Sequence, residues 1–268
     1  MIFNFGKKVV LITGAARGIG KNIAQKFVSL GAQVIIVDID IVHGIKASEA
    51  ISSNDHNAEY IQCDLRELKQ IDELLSSVVD KYGKIDILIN NARAGIRTAP
   101  FKETEDNFQI ALDVSLRAPL FLSQSFINCS IIKKNAGCIL NISSVSALSI
   151  GSESVAYHLA KAALENLTRY LAVHGGPHGV RVNAIRPGFI VQDEHLDRYN
   201  QDANEKYRRL AEYCHPLRKH GTSDDVANAS LFLCSDFAGF ITGQVLTVDG
   251  GLLSQDPFSM AMRMREIL

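Results

Sequence analysis

A tyrosine and a lysine four residues apart have the types and spacing needed for proton transfer. Tyr157 and Lys161 stand on a strongly apolar segment with helical spacing, so they share one helix face. A phenol with a pKa of about 10 is a poor base at neutral pH, but a neighbouring ammonium stabilises its phenolate. The pair could therefore exchange a proton with an alcohol or a carbonyl. Surface pairs without a chemical role share this spacing.

A serine near the end of another apolar run could complete such a site. Ser144 follows the run Cys138–Ile142. The carboxyl end of a strand is where open parallel sheets bind ligands. A hydroxyl there could hydrogen-bond a substrate oxygen and hold it for proton transfer. A polar turn at the strand end is the alternative interpretation.

A glycine-rich stretch follows the first apolar run of the chain, Val9–Ile12. It reads Thr13-Gly14-Ala15-Ala16-Arg17-Gly18-Ile19-Gly20. Glycines in such a turn permit a tight bend, a close approach to a pyrophosphate and close packing of the next helix. The spacing differs from G-x-G-x-x-G, and an ordinary strand-turn-helix also uses glycines. The stretch is compatible with a phosphate seat at a helix N-terminus.

Two aspartates follow the next two predicted strands. Asp38 comes after the second strand, where a carboxylate can accept from both ribose hydroxyls of an adenosine and repels a 2′-phosphate. It favours NAD over NADP, whereas Arg17 in the glycine turn could reach a phosphate. Asp64, with the Leu65 backbone beside it, could accept from an adenine amino group, and it could at the same time cap the following helix.

The elements that must position these residues alternate along the chain. Seven short apolar runs are predicted strands, and their continuous apolar character indicates burial on both faces. Helix-length connections between them favour a parallel sheet, so we predict one α/β, doubly wound domain over residues 1–268. The strands are Val9–Ile12, Val34–Val37, Ala58–Gln62, Ile85–Ile89, Cys138–Ile142, Val180–Ile185 and Val245–Val248.

Periodicity also predicts the helices between these strands. A polar turn is expected at Ser53–Asn57, Pro119 should bend the longest helix, and the polar region Phe189–His220 is expected to be irregular. The helices are Ile19–Leu30, Ile41–Ser53, Glu67–Tyr82, Glu105–Lys133, Val155–Val173 and Ser223–Cys234.

Composition excludes several classes of function. The chain of 268 residues has a formal net charge of −1, so a nucleic-acid partner is not expected. Five scattered cysteines without C-x-x-C spacing predict a reducing compartment and no metal site. The N-terminus lacks a signal-peptide pattern, and the apolar stretch Ile110–Ile132 carries Asp113 and Arg117. We therefore expect a soluble, cytoplasmic protein without a membrane span.

Taken together, the motifs closely resemble the short-chain dehydrogenase/reductase family, from Lys7 to Gly251. Each motif alone is weak, but their common order and spacing are specific. They are Thr13-Gly14-x-x-x-Gly18-Ile19-Gly20, Asp38, Asp64, Asn90-Asn91-Ala92, Ser144, Tyr157-x-x-x-Lys161 and Asn183-Ala184-x-Arg186-Pro187-Gly188.

The resemblance implies a Rossmann-type sheet of seven mainly parallel strands and nicotinamide-dependent hydride transfer. It makes Tyr157 the acid/base, while Lys161 holds the nicotinamide ribose and lowers the tyrosine pKa, and Ser144 positions the substrate. It also implies a homo-oligomer, a tetramer or a dimer. The cofactor-binding residues expected from motif and resemblance are Thr13, Gly14, Arg17, Gly18, Ile19, Gly20, Asp38, Asp64, Leu65, Asn91, Ala92, Tyr157, Lys161, Pro187 and Ile190.

Three positions depart from the family pattern. Arg93 replaces a glycine, and it could bind an anionic group in the substrate cleft, with Arg97 nearby, or be simply exposed. Ser115 replaces an asparagine that anchors a water in the proton relay, and a serine can still bind a water. Gln192 replaces the threonine that is usual after the Pro-Gly loop. The contact of this position with the cofactor amide or phosphate is therefore in doubt.

The segment 189–220 corresponds to the family's variable substrate lid and is rich in polar side chains. This favours a small polar or sugar-like substrate. The C-terminal extension 252–268 either packs on a neighbouring subunit or frays. The sequence thus predicts an NAD-dependent oxidoreductase for a secondary alcohol/ketone pair. An NADP-linked carbonyl reductase and a catalytically silent nucleotide-binding scaffold or sensor are the alternatives.

Overall fold

Strand pairing in this computed structural model, which describes residues 3–52 and 58–264, confirms the predicted sheet. All seven predicted strands lie side by side, and every pair is parallel, in the order β3-β2-β1-β4-β5-β6-β9. Two short strands, β7 and β8, form a separate parallel pair. The strands are β1 Val9–Thr13, β2 Gln33–Asp38, β3 Ala58–Gln62, β4 Ile87–Asn90, β5 Gly137–Ile142, β6 Val180–Pro187, β7 Ile190–Val191, β8 Gly221–Thr222 and β9 Val245–Val248.

Helices cover both faces of the sheet, each face with its own apolar core. The first core includes buried residues of α1, α2 and α9, and the second those of α3, α5 and α6. The helices are α1 Gly18–Ser29, α2 Ile41–Ile51, α3 Leu68–Tyr82, α4 Glu105–Leu112, α5 Ala118–Lys133, α6 Val155–Gly175, α7 Asp193–Tyr199, α8 Glu205–Tyr213, α9 Ser223–Cys234 and α10 Pro257–Met264.

The strand order fixes where a ligand can bind. The chain runs from β1 to one side through β2 and β3, then returns to place β4, β5 and β6 on the other side. A crevice opens at such a reversal, outside the carboxyl ends of the two strands that flank it. Here the flanking strands are β1 and β4, so the glycine turn and Asn91 meet at this point.

The helix predicted over Glu105–Lys133 is interrupted by a π turn at Asp113–Arg117. The Ala118 N–H donates to the carbonyl of Asp113, five residues back. Pro119 lies in the first turn of α5 and has no N–H to donate, so regular α-helical bonding cannot pass through it. The hydrogen-bond pattern therefore changes just before the proline.

The same stretch, Glu105–Lys133, is the one helical segment in the described residues that is long and apolar enough to cross a membrane. Length and composition alone give this result, and core helices of globular domains meet the same criteria. Here the stretch packs on α3, α6 and the sheet, and its residues Leu122 and Phe126 are fully buried. It behaves as a core helix of the domain.

The lid segment, residues 189–220, is not irregular as predicted. It contains β7, α7 and α8, held by an aromatic cluster in which Phe189 lies 6.1 Å from Tyr199, 6.0 Å from Tyr207 and 6.3 Å from His215 between ring centroids. Polar composition concealed the apolar side of these short helices. The predicted turn 53–57 and residues 265–268 of the extension lie outside the described residues, while 257–264 form α10.

Candidate active site

The glycine turn after β1 requires glycine at two positions. Gly14 and Gly18 have φ angles of 64° and 57°, in the left-handed region that other residues rarely adopt. A Cβ atom on Gly14 would also lie 2.7 Å from the Cα of Ala92. The turn can therefore approach the end of β4 only without a side chain.

Three predicted cofactor residues hold this turn against β4. The Thr13 hydroxyl accepts from the backbone N–H groups of Asn91 and Ala92, each at 3.1 Å. The Asn91 side chain donates to the carbonyls of Thr13 and Gly14 at 2.9 and 2.8 Å. These contacts position the turn, and direct contact with a cofactor remains a prediction for these residues.

The N-terminus of α1 presents a backbone amide to an anion. Its N-cap residue, Arg17, makes no side-chain capping bond, and the Gly18 N–H donates to the Glu194 carboxylate at 2.6 Å. A helix N-terminus carries partial positive charge, which stabilises such a carboxylate. We did not predict Glu194, because the contact joins residues far apart in the chain. Gln192 also lies against Gly18, where a Cβ would overlap its side chain.

Asp38 lies next to the glycine turn at the end of β2. One carboxylate oxygen accepts from the Ala16 N–H at 3.1 Å and the other from the Asp40 N–H at 3.1 Å. Each oxygen has a second lone pair, so the fixed carboxylate can still accept from two hydroxyls. Arg17 is exposed to solvent.

Asp64 is held by an arginine two residues along the chain. The Arg66 Nε donates to its carboxylate oxygens at 3.0 and 3.1 Å, and this side-chain hydrogen bonding lowers the pKa of Asp64. The expectation that Asp64 caps the next helix is wrong, because the N-cap of α3 is Glu67. Leu65 is buried, and the adenine contact of this pair remains a prediction.

The structure brings Ser144, Tyr157 and Lys161 together. Ser154 caps α6 by accepting from the Tyr157 N–H at 3.3 Å, which fixes the first turn of the helix. One turn later, the Lys161 Nζ lies 5.7 Å from the centroid of the Tyr157 ring. Ser144 follows β5, and its hydroxyl accepts from the Ser146 N–H at 3.1 Å.

Burial sets the proton affinities of this cluster. It raises the pKa of Tyr157, while hydrogen bonding with Ser144 and the charge of Arg93 act in the opposite direction. Burial also lowers the pKa of Lys161 to about 7, and the Arg93 charge adds to this shift. The Lys161 Nζ donates to the Ile142 carbonyl at 2.6 Å. Its ammonium is therefore present below about pH 7 and is lost as the pH rises.

A buried ion pair joins α6 to the end of β6. Arg186 donates to both carboxylate oxygens of Glu165, at 2.8 and 2.6 Å, and Ser143 donates to the same carboxylate at 2.8 Å. This network fixes the backbone at Pro187, which ends β6, and Ile190 starts β7 just beyond it. The family resemblance implies that Pro187 and the Ile190 backbone contact the carboxamide of the nicotinamide, and this contact remains a prediction.

Ser115 lies in the π turn, which packs against α6. Its side chain is 1% exposed, and its hydroxyl has no hydrogen-bond partner within the part of the chain that is described. The expected relay through Ser115 therefore involves no direct bond to Lys161. A buried hydroxyl without a partner is costly to the fold, which makes a functional role testable.

Replacing Ser115 by alanine is expected to raise the free energy of unfolding by about 1 kcal/mol, because it removes an unsatisfied buried group. If the hydroxyl serves the relay, kcat should fall several-fold and its pH profile should shift. Urea denaturation and pH–rate profiles measure the two effects. Unchanged turnover and an unchanged profile would exclude Ser115 from the relay.

Comparison with known proteins identifies the family of the chain. Residues 14–253 match the family model described as enoyl-(acyl carrier protein) reductase. Galactitol 2-dehydrogenase of Agrobacterium fabrum is 35% identical over 252 residues, which cover 91% of this chain and 96% of the relative. The 7alpha-hydroxysteroid dehydrogenase of Bacteroides fragilis is 32% identical over 259 residues, covering 94% and 97%.

Solved structures share the fold over nearly the whole chain. The crystal structure of a short-chain type dehydrogenase/reductase from Mycobacterium marinum superposes with a TM-score of 0.85 and 27% identity, covering 95% of this chain and 98% of that one. Family model, relatives and solved structures point to the same family. The chain therefore belongs to the short-chain dehydrogenase/reductase family of NAD(P)-dependent oxidoreductases.

Proposed function

We propose that the protein is an NAD-dependent dehydrogenase that interconverts a secondary alcohol and a ketone on a small polar or sugar-like substrate. The observation that carries this proposal is the meeting of Ser144, Tyr157 and Lys161 beside the glycine turn. The catalytic cluster follows β5, and the turn follows β1, with only β4 between them. A hydride acceptor and a proton-transfer group can therefore act on one substrate alcohol, the first at its carbon and the second at its oxygen.

The residues fit a dinucleotide. The left-handed glycines add no side chains of their own to the turn, and the amides of α1 can receive the pyrophosphate once Glu194 leaves the Gly18 N–H. Asp38 would bind the adenosine ribose and Lys161 the nicotinamide ribose. When bound, the nicotinamide supplies the hydride acceptor. NAD is favoured because the carboxylate of Asp38 lies at the end of β2 and repels a 2′-phosphate.

The protein's own groups handle the proton and the substrate oxygen. The Ser144 hydroxyl holds that oxygen beside the Tyr157 hydroxyl, which takes the alcohol proton during oxidation and returns it during reduction. Positive charge nearby stabilises the phenolate form and opposes the effect of burial on the tyrosine. Lys161 contributes to this stabilisation while it carries its proton.

The lid favours a polar substrate. Its aromatic side chains are used to hold the lid segment together, and most of the residues of α7 are exposed and charged. A relative named for galactitol agrees with a polyol, although another is named for a hydroxysteroid. A small polar alcohol satisfies the polar side chains of the lid better than a large apolar one.

We further propose a homo-oligomer that works in the cytoplasm. Val155, Leu159 and Val173 are each at least half exposed on α6, and exposed apolar surface of this kind supports subunit contact. All five cysteines are free thiols, which agrees with a reducing compartment.

The proposal is tested by a cofactor-reduction screen over polar alcohols and sugars, run in parallel with NAD and NADP. We expect turnover of at least one polyol or sugar with NAD, and about 10- to 100-fold lower kcat/KM with NADP, since the loss of charge-assisted bonds costs this much. Tight NAD binding without turnover of any substrate would instead favour a silent nucleotide-binding protein.

A further inference from the structure

An arginine lies beside the tyrosine of the catalytic cluster. The Cζ of Arg93 is 5.6 Å from the centroid of the Tyr157 ring, about as far as the Lys161 Nζ at 5.7 Å. Arg93 stands in the loop after β4, three residues beyond its last residue Asn90. The loop thus places a permanent cation beside the ring whose hydroxyl would exchange the proton.

This guanidinium is available for a ligand. Arg93 is exposed and forms no ion pair with any residue in the ranges 3–52 and 58–264. The second arginine of the loop differs, because Arg97 pairs with Glu153 at 3.2 Å. Glu153 is a carboxylate whose charge also acts on Tyr157, and this pairing partly neutralises it. The guanidinium of Arg93 keeps all five of its donors, in a planar fork that matches a carboxylate.

We propose that Arg93 binds a carboxylate of the substrate, so that the enzyme acts on a hydroxy acid or sugar acid rather than on a neutral polyol. This rests on the proposed function, because it names the substrate class of the same site. Since Arg93 approaches the ring whose hydroxyl exchanges the proton, a carboxylate that it holds lies within a few bonds of the oxidised carbon. Two parallel charge-assisted hydrogen bonds would orient that carbon.

A purely electrostatic role of Arg93 predicts a different result. A cation that only stabilises the Tyr157 phenolate affects every substrate alike, charged or neutral. A cation that binds the substrate affects only those with an anionic group. Matched acids and alcohols therefore separate the two roles, and so does the arginine-to-lysine change, which keeps the charge and loses the fork.

The test compares kcat/KM for gluconate with glucitol, and for lactate with propylene glycol, in the wild type and in Arg93→Gln, Arg93→Lys and Arg97→Gln. We expect the wild type to prefer the acid, and Arg93→Gln to reduce this preference about 10- to 100-fold. Arg93→Lys should recover only part of it. Arg97→Gln, the matched control on the same loop, should retain most of it.

If the ratio of kcat/KM for the acid to kcat/KM for the matched alcohol is the same in the wild type and in Arg93→Gln, the inference is overturned. The proposed function stays intact in that case, because the alcohols are still turned over. A marked preference for glucitol 6-phosphate over gluconate would also overturn the carboxylate assignment. If neither the hydroxy acids nor the neutral alcohols are turned over, the proposed function fails. Binding of gluconate and lactate to the enzyme–NADH complex, followed by NADH fluorescence, then still decides the role of Arg93.

Discussion

Replacement of Tyr157 by phenylalanine is expected to reduce kcat by about 10²- to 10⁴-fold, the range that a positioned acid/base contributes. The change removes one hydroxyl and keeps the ring, and the bond from the Tyr157 backbone N–H to the Ser154 hydroxyl does not involve the tyrosine side chain. The helix and the glycine turn should therefore be unaffected. The Kd of NAD, measured by fluorescence quenching, should change little while turnover is nearly lost.

Tyr170 offers a matched control, since it lies on the same helix and is 59% exposed. Tyr170→Phe removes an equivalent hydroxyl far from the catalytic cluster and should leave kcat within experimental error. Full turnover in Tyr157→Phe would show that the proton passes through another group. Equal loss in both variants would point to a defect of α6 instead.

Asp38→Ser is expected to shift the cofactor preference toward NADP. The substitution removes up to two charge-assisted hydrogen bonds to a ribose, about 1.5–3 kcal/mol each, and also the repulsion of a 2′-phosphate. A serine can still accept from the Ala16 or the Asp40 N–H, so the turn should persist. We expect the ratio of the Kd values for NADP and NAD to fall by about 100-fold or more, measured by parallel titration.

Asp40→Ser is the matched control for this charge change. Asp40 caps α2 by accepting from the His43 N–H at 3.1 Å, and serine is an equally good N-cap. This variant therefore loses a carboxylate two residues from Asp38 and keeps the helix. A similar fall in the ratio of the Kd values for NADP and NAD in both variants would mean that general negative charge, and not a ribose contact of Asp38, sets the preference.

The sheet could be predicted because its strands are continuous apolar runs. Val34–Val37 and Cys138–Ile142 are buried on both faces, and only a parallel sheet covered by helices buries such runs. The observed strand β2 extends its run by one residue at each end, and β5 extends its run by one residue at its start. The glycine spacing and the Tyr157/Lys161 pair could also be recognised in the sequence, because each involves residues close together in the chain.

The lid and the anion contact could not be read from local patterns. Phe189 packs on Tyr199 and Tyr207, aromatic residues ten and eighteen positions later, and the charged residues between them suggested a loop. The bond between Gly18 and Glu194 joins residues 176 positions apart, and no local sequence pattern predicts it. Tertiary packing decides both features, and it depends on which elements the sheet brings together.

The Glu194 bond makes the arrival of a dinucleotide an exchange of one anion for another. A single N–H cannot bond the carboxylate at 2.6 Å and a phosphate oxygen equally well, so a phosphate at Gly18 must displace Glu194. Displacement breaks this bond between α7 and the glycine turn, which leaves Gln192 as the lid residue against Gly18. Loss of this lid contact and entry of the cofactor are then coupled. The cost of that displaced bond is subtracted from the affinity of any phosphate that binds there.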